Sequence, residues 1–440
     1  MDDTENSAAS AAQRSFLSIG LLGFGTVGAH VYRLLQDETL VAARAGVSLR
    51  VKKIAVLHPA KARPVEVPPA IFTTDPSEIV ASPDVDIVVE LIGGLEPAHR
   101  LVLEAIERGK AVVTANKQLM ATHGPELLGK AETVGVELGF EGSVGGGIPL
   151  IKPIRESLAA ARIRAVTAIL NGTTNYILTR MAAEGWTFEA ALTAAQRQGF
   201  AEADPREDIE GHDAAAKLAI LASAAFGCQV TNDDVYREGI ASITPKDIAF
   251  AKELGFAIKL LAIARSQDGE IEARVHPALV PLNHPLATVA DEFNAVLVDG
   301  PGLGPVIFSG RGAGGAPTAV AVVGDLVAIG TRLRLGFRGR PGGVHLVPMR
   351  VRPIEEVVLP CYLSLQVIDR PGVFARVASV FGDEQVSIAS IVQKSRGAVA
   401  DVVLVTHDAP ERAVRRVLAR LREMDVVKAI PTVIRVEATI

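Results

Sequence analysis

Lys217 is the only charge in residues 214–226, AAAKLAILASAAF, and six acids stand just before it: Glu202, Asp204, Glu207, Asp208, Glu210 and Asp213. A segment apolar nearly all round belongs in a core. An ammonium there is costly unless paired, and burial favours its neutral form. Asp213 precedes Lys217 by four residues, so a helix sets both on one face. On an exposed helix that spacing is an ordinary ion pair contributing roughly 0.3–0.5 kcal/mol. In an apolar helix it marks a lysine suited to proton transfer. The acids repel one another unless they bind a cation or cap a helix. Asp213 can cap the helix start, and the spacing is not that of a calcium loop. A substrate ammonium also satisfies them, which points to an amino acid whose side-chain alcohol or aldehyde is the redox centre.

Such chemistry needs a hydride carrier, and residues 16–35, FLSIGLLGFGTVGAHVYRLL, supply its pattern. They read as strand, glycine turn and helix, with Gly23, Gly25 and Gly28 in the G-x-G-x-x-G spacing of dinucleotide sites. The first glycine permits the turn, the second lets a pyrophosphate approach, and the third lets helix pack on strand. The helix N-terminus then offers its N–H groups to the phosphates. Outside that context the glycines would merely shape a turn.

Strands are expected in LRVKKIAVL (49–57), VDIVVELIGG (85–94), KAVVTANK (110–117) and VELGFEGSVGGG (136–147), with a helix in EPAHRLVLEAIERG (96–109). This alternation predicts an α/β protein with a Rossmann-type doubly wound parallel sheet. Ligands of such sheets sit beyond the strands' carboxyl ends, where Gly93, Gly94, Asn116 and Lys117 fall. Lys117 is either a ligand contact there or a solvated loop lysine. The second strand closes on Leu57 and His58 rather than an acid, with Lys61 and Arg63 beyond. That leans toward NADP over NAD.

The chain's 440 residues suffice for two or three domains. A net charge of -5 gives no general pull toward nucleic acid or an anionic membrane. No uninterrupted apolar run has the length of a membrane span. The polar, acidic start MDDTENSAASAAQRS reads as disordered rather than as a secretory or transit signal. Cys228 and Cys361 match no disulfide or metal framework, so a cytoplasmic protein is expected.

After Phe200 a helical middle gives way to strands in IEARVHPALVPLNHPLATV (271–289), FNAVLV (293–298) and PVIFSG (305–310). The loop GRGAGGAPT and the apolar helix AVAVVGDLVAIG then return to the first domain. The arginine-rich stretch 331–353 lacks the aromatics of a single-strand platform and reads as a linker, not a nucleic-acid site. The last eighty or so residues follow a βαββαβ order, with DRPG entering the first helix.

GLLGFGTVG, ELIGG, TANK, FEGSVGGGIP, NGTTNYIL, GFAEADPREDIEGHDAAAKLAIL and GRGAGGAPTA, in that order, resemble the homoserine dehydrogenases of the long, single-function kind. The C-terminal unit resembles an ACT domain, in the ferredoxin-like fold. The resemblance implies NAD(P)-dependent, reversible reduction of L-aspartate 4-semialdehyde to L-homoserine, in threonine, methionine and isoleucine biosynthesis. It implies that Lys217 gives a proton to the carbonyl oxygen and that Lys117 contacts cofactor and substrate. Glu202 and Asp213 would hold the amino acid, with Asp208 and Thr173 beside them. Gly23, Phe24, Gly25, Thr26, Val27, Gly28, Gly93, Gly199, Gly314 and Gly315 would line the cofactor. Glu141, Val144, Gly146 and Ile148 would surround a sodium ion, mostly through backbone carbonyls, although those glycines equally suit a tight turn. The ACT domain would take L-threonine as allosteric ligand, and a homodimer or homotetramer is expected. Relatives often carry an arginine near the end of the second strand where this chain has Leu57.

The expected organisation is a disordered start (1–15), a nucleotide-binding domain (16–150), an inserted α+β substrate and dimerisation domain (151–315), a return helix (316–335), a linker (336–358) and the ACT domain (359–440). Two other readings stand beside it. One assigns a different amino-aldehyde or hydroxy acid. The other is a nucleotide- and amino-acid-sensing protein, in which Lys217 and Lys117 would be idle.

Overall fold

The computed structural model describes residues 15–339, 346–393, 395 and 397–437. The expected disordered start up to residue 14, and residues 340–345 of the expected linker, lie outside the described residues. The chain divides into two compact units. The first comprises Met1–Arg162, Ala219–Asn232 and Phe308–Met349; the second comprises Ile163–Leu218, Asp233–Ile307 and Arg350–Ile440. The return to the first unit thus begins at Phe308, and the C-terminal fold shares a unit with the substrate fold.

In the first unit β1 (Phe16–Leu22), β2 (Ser48–Ala55), β3 (Phe72–Thr73), β4 (Ile87–Glu90), β5 (Ala111–Thr114) and β6 (Leu138–Gly139) form one parallel sheet. Its order is β3-β2-β1-β4-β5-β6, the doubly wound dinucleotide-binding arrangement, with the strand order reversing between β1 and β4. All four residues of β4 and of β5 are buried, as expected of a sheet covered on both faces. The expected strand 136–147 is shorter in the structure. Only Leu138 and Gly139 pair with β5, and the chain then turns through Gly145 (φ 75°) and Gly146 (φ 57°), which no strand accommodates.

The helix Gly315–Arg334 is long and apolar enough, by length and composition, to cross a membrane. It buries Ala319, Val322, Leu326 and Ile329 in one core with Leu17, Ile19, Leu21 and Val31. Those contacts make it a core helix of the sheet.

The second unit is built on β7 (Ala165–Ile169), β8 (Tyr236–Arg237), β9 (Phe256–Gln267), β10 (Glu270–Pro281) and β11 (Phe293–Asp299). Their sheet continues in the order β11-β7-β9-β10 into the strands Val427–Val436, Cys361–Ile368, Val399–Thr406 and Ile388–Gln393. Helices Val373–Asp383 and Glu411–Arg422 complete the βαββαβ order, over a core that includes Leu363, Phe381, Leu404 and Val417. β9 lies within the stretch expected to be helical. It pairs antiparallel with β10 through a two-residue turn, Asp268 (φ 53°) and Gly269 (φ 81°), and most of its residues are buried.

Candidate active site

The helix His212–Phe226 carries Asp213 and Lys217 into the second unit, where Asp213 is 4% and Lys217 8% exposed. Lys217 Nζ donates to Asp213 Oδ2 at 2.7 Å and to the Leu170 carbonyl at 2.9 Å. The i, i+4 ion pair is therefore present but desolvated, not a surface pair. Asn171, between β7 and the helix Gly172–Glu184, caps that helix by accepting the Thr174 N–H at 2.8 Å. Its amide donates one hydrogen to Asp208 Oδ1 at 2.7 Å and the other to Asp213 Oδ2 at 2.9 Å. Burial pushes the Asp208 carboxyl above its usual range, the Asp213 charge adds to this, and the Asn171 and Thr173 hydrogen bonds oppose it. Thr173 Oγ1 also donates to the Phe200 carbonyl at 2.7 Å. Two carboxylates around one ammonium leave a negative balance suited to a second ammonium.

Two other expected residues, Gly199 and Glu202, stand on either side of Phe200 in the chain. Glu202 is exposed, and its backbone carbonyl accepts from Gln196 Nε2 at 3.1 Å. Gly199 follows the helix Phe188–Arg197 in a left-handed turn (φ 77°) that itself requires glycine.

In the first unit the three glycines of the turn separate by what a Cβ would meet. At Gly23 (φ 98°) it would lie 2.6 Å from the Leu91 carbonyl oxygen, and at Gly28 2.9 Å from that of Gly23. Both positions are demanded by the fold. At Gly25 nothing lies within 4 Å, so its face is open where a pyrophosphate would approach. Gly25 also begins the helix Thr26–Leu35, whose start carries no side-chain cap and suits an anion. The residues present thus fit a dinucleotide, with Phe24 in the same turn and Thr26 and Val27 opening the helix. Gly315 packs on Thr26, where a Cβ would come within 2.5 Å, and Gly314 (φ 123°) precedes it.

A buried network fixes the carboxyl ends of β4 and β5. Glu90 accepts the N–H groups of Ile92 (2.7 Å) and Gly93 (3.2 Å) and the Thr114 hydroxyl (2.6 Å). Asn116 donates to the Gly94 carbonyl at 2.7 Å and caps the helix Lys117–Val134, so Lys117 opens that helix beside the Gly93–Gly94 turn. Glu90 and Thr114 here, and Asn171 in the second unit, are polar residues that sequence reasoning gave no role, whereas Asn116 was already placed at this strand end by the sequence. The only signal for the first three is a position inside or next to the motifs ELIGG, TANK and NGTTNYIL.

In the loop after β6 the Glu141 carboxylate accepts the N–H groups of Leu150 (2.6 Å), Ile151 (2.8 Å) and Lys152 (2.8 Å). That leaves Glu141 its backbone carbonyl for a cation. Val144, Gly146 and Ile148 are buried, and their carbonyls enter none of the backbone hydrogen bonds seen among the described loop residues. Such oxygens fit a hard cation. A Cβ on Gly146 would come 2.7 Å from Gly312, so this glycine is also needed by the turn.

Comparison with known proteins matches the chain in three blocks. The homoserine dehydrogenase NAD-binding domain covers residues 23–141, the homoserine dehydrogenase domain 149–327 and the ACT domain 362–424. A homoserine dehydrogenase of Synechocystis sp. is 46% identical over 435 residues, spanning 96% of this chain and 99% of that protein. The chain belongs to the homoserine dehydrogenase family. It is an NAD(P)-dependent oxidoreductase acting on a CH–OH group. The Bacillus subtilis homoserine dehydrogenase is 41% identical over 96% of this chain and 98% of its own. The solved homoserine dehydrogenase of Thiobacillus denitrificans superposes with a TM-score of 0.88 at 42% identity, covering 96% and 98% of the two chains. A hyperthermophilic archaeal homoserine dehydrogenase in complex with NADPH aligns at a TM-score of 0.61 and 28% identity, over 73% of this chain and 99% of that one.

Proposed function

We propose that the enzyme interconverts L-aspartate 4-semialdehyde and L-homoserine, with Lys217 as the proton-transfer group. The observation that carries this reading is a buried ammonium with two of its three hydrogens committed, to Asp213 and Leu170. The third is left for a substrate oxygen. In the reducing direction a nicotinamide bound at the glycine turn would supply the hydride for the aldehyde carbon. Lys217 stabilises the negative charge growing on the oxygen and releases its proton there. Asp208 and Asp213, with Glu202, receive the substrate ammonium, and Lys117 contacts cofactor and substrate.

NADP is the preferred carrier in this reading. No acid closes β2, and the Arg63 guanidinium lies 4.5 Å from the ring centroid of Phe72 and 5.9 Å from that of Phe24 in the glycine turn. A related enzyme has been solved with NADPH. Sodium, held by the carbonyls of Glu141, Val144, Gly146 and Ile148, would fix the loop after β6. The ACT domain would report L-threonine, and the enzyme would act in the cytoplasm as a homodimer or homotetramer, in threonine, methionine and isoleucine biosynthesis.

The test follows nicotinamide absorbance as L-homoserine meets NADP⁺ or NAD⁺, with and without L-threonine. Reduction is expected, faster with NADP⁺. Lys217→Ala should lose roughly 10²–10⁴-fold in turnover with cofactor affinity unchanged. Near-normal turnover in that variant would overturn the assignment.

A further inference from the structure

Three potential metal ligands outside the catalytic residues meet on the first unit, the only such group found among the described residues: His99, His123 and Glu126. His99 lies on the helix Ala98–Glu107; His123 and Glu126 share a face of the helix Lys117–Val134 at i, i+3 spacing. One oxygen, Glu126 Oε2, stands 3.2 Å from His99 Nε2 and 3.1 Å from His123 Nδ1. All three ligand atoms lie within 4.8 Å of one another. Nitrogen and oxygen ligands at about 2.0–2.1 Å from a tetrahedral zinc stand roughly 3.3 Å apart. Two edges of the group therefore already have the spacing of a filled site.

The surroundings fit as well. Glu96 Oε1 stands 3.5 Å from His99 Nδ1, the place where metal-binding histidines keep a carboxylate that sets their tautomer. With carboxylates facing both nitrogens of His99, a neutral ring can donate to only one. An ion on Nε2 resolves that competition and leaves Nδ1–H to Glu96. The His99 and His123 rings are stacked, 4.0 Å between centroids with 18° between planes, so loading requires them to turn toward a common point. Their side chains are 18% and 32% exposed, which leaves room for the turn and for a water in the fourth position.

We propose that His99, His123 and Glu126 form a site for a divalent transition-metal ion, clasping the two helices together. Two imidazole nitrogens and one carboxylate favour zinc, cobalt or nickel over calcium or magnesium.

The test titrates untagged, chelator-stripped, full-length protein with ZnCl₂ and with CoCl₂, followed by calorimetry and by the visible bands of bound cobalt. One ion per chain is expected, with a metal-dependent rise in Tm. His123→Ala should weaken binding at least about tenfold and abolish the rise, and Glu96→Gln should weaken it roughly 10–100-fold. His123 is partly exposed, so its variant should keep the metal-free Tm of the wild type and remain a fair comparison should a His99 variant unfold. Absence of saturable binding to the wild type, or equal binding by wild type and His123→Ala, overturns the site.

Discussion

Asn171 spends both amide hydrogens on carboxylates that would otherwise repel each other, and one of them, Asp213, also holds Lys217. The arrangement has a pH consequence. Burial raises the Asp208 titration, so its proton stays longer in the folded apoprotein than in the unfolded chain. For a raised carboxyl the favourable contribution is present below the unfolded pKa and is lost as pH rises through the folded one. A substrate ammonium received there, as proposed, would reverse that penalty by pairing with the ionised form. Homoserine should therefore raise Tm more at neutral pH than on the acid side of the Asp208 titration. In Asp208→Asn the dependence should flatten, with homoserine KM raised across the range. A ligand-induced Tm shift independent of pH in the wild type would remove Asp208 from the receptor.

At the scale of elements, the glycine turn separates what the fold needs from what the ligand needs. Gly25→Ala adds a methyl into open space at an ordinary φ of -82°, so stability should change by no more than about 0.5 kcal/mol. Affinity for NADP⁺ should nevertheless fall roughly tenfold or more, the scale of one charge-assisted hydrogen bond. Gly28→Ala meets the Gly23 carbonyl and should lower Tm instead. Thermal melts and cofactor titrations on the two variants check both halves; unchanged affinity in Gly25→Ala would mean the cofactor lies elsewhere. This turn was legible because spacing and context both survive in the one-dimensional pattern, and so was CYLSLQVI, which occupies the strand Cys361–Ile368. β9 was not, because FAIKLLAIARSQ is buried on both faces and shows no alternation. Its usable signal was the Asp268-Gly269 pair that turns it into β10. Asn171 and Glu90 stayed silent for a different reason. Their partners, Asp213 and Thr114, lie 42 and 24 residues away, and only folding selects them.

Within the second unit the substrate and ACT folds share one sheet, with Ala278 and Leu279 of β10 opposite Arg435 and Val436. Buried charge crosses this seam. Arg265 Nη2 donates to Glu437 Oε2 at 3.0 Å, and Arg274 donates to the other oxygen of Glu437. Arg435 donates to Glu238 at 2.8 Å and to Glu411 at 2.6 Å. His276 sits among these arginines with its pKa pushed well below the usual range, by burial first and then by Arg435 and Arg274. Its Nε2 accepts from Arg274 at 2.8 Å while its Nδ1 donates to the Pro277 carbonyl. A depressed histidine contributes stability above its unfolded pKa and loses it as pH falls, so the seam should weaken below about pH 6.5. Glu437 is 1% exposed and neutralises two arginines at once. Glu437→Gln leaves both cations short of a carboxylate in a dry site and should cost roughly 3–5 kcal/mol. Because the charges join the two folds, the loss should split their unfolding: the ACT core should melt before the substrate fold in the variant, and together with it in the wild type. Urea unfolding followed by calorimetry and by hydrogen exchange on residues 361–436 distinguishes these outcomes. A loss below about 1 kcal/mol, within the range of an exposed pair, with unfolding still concerted, would mean that the backbone pairing of β10 with Val427–Val436 holds the seam without its buried charges.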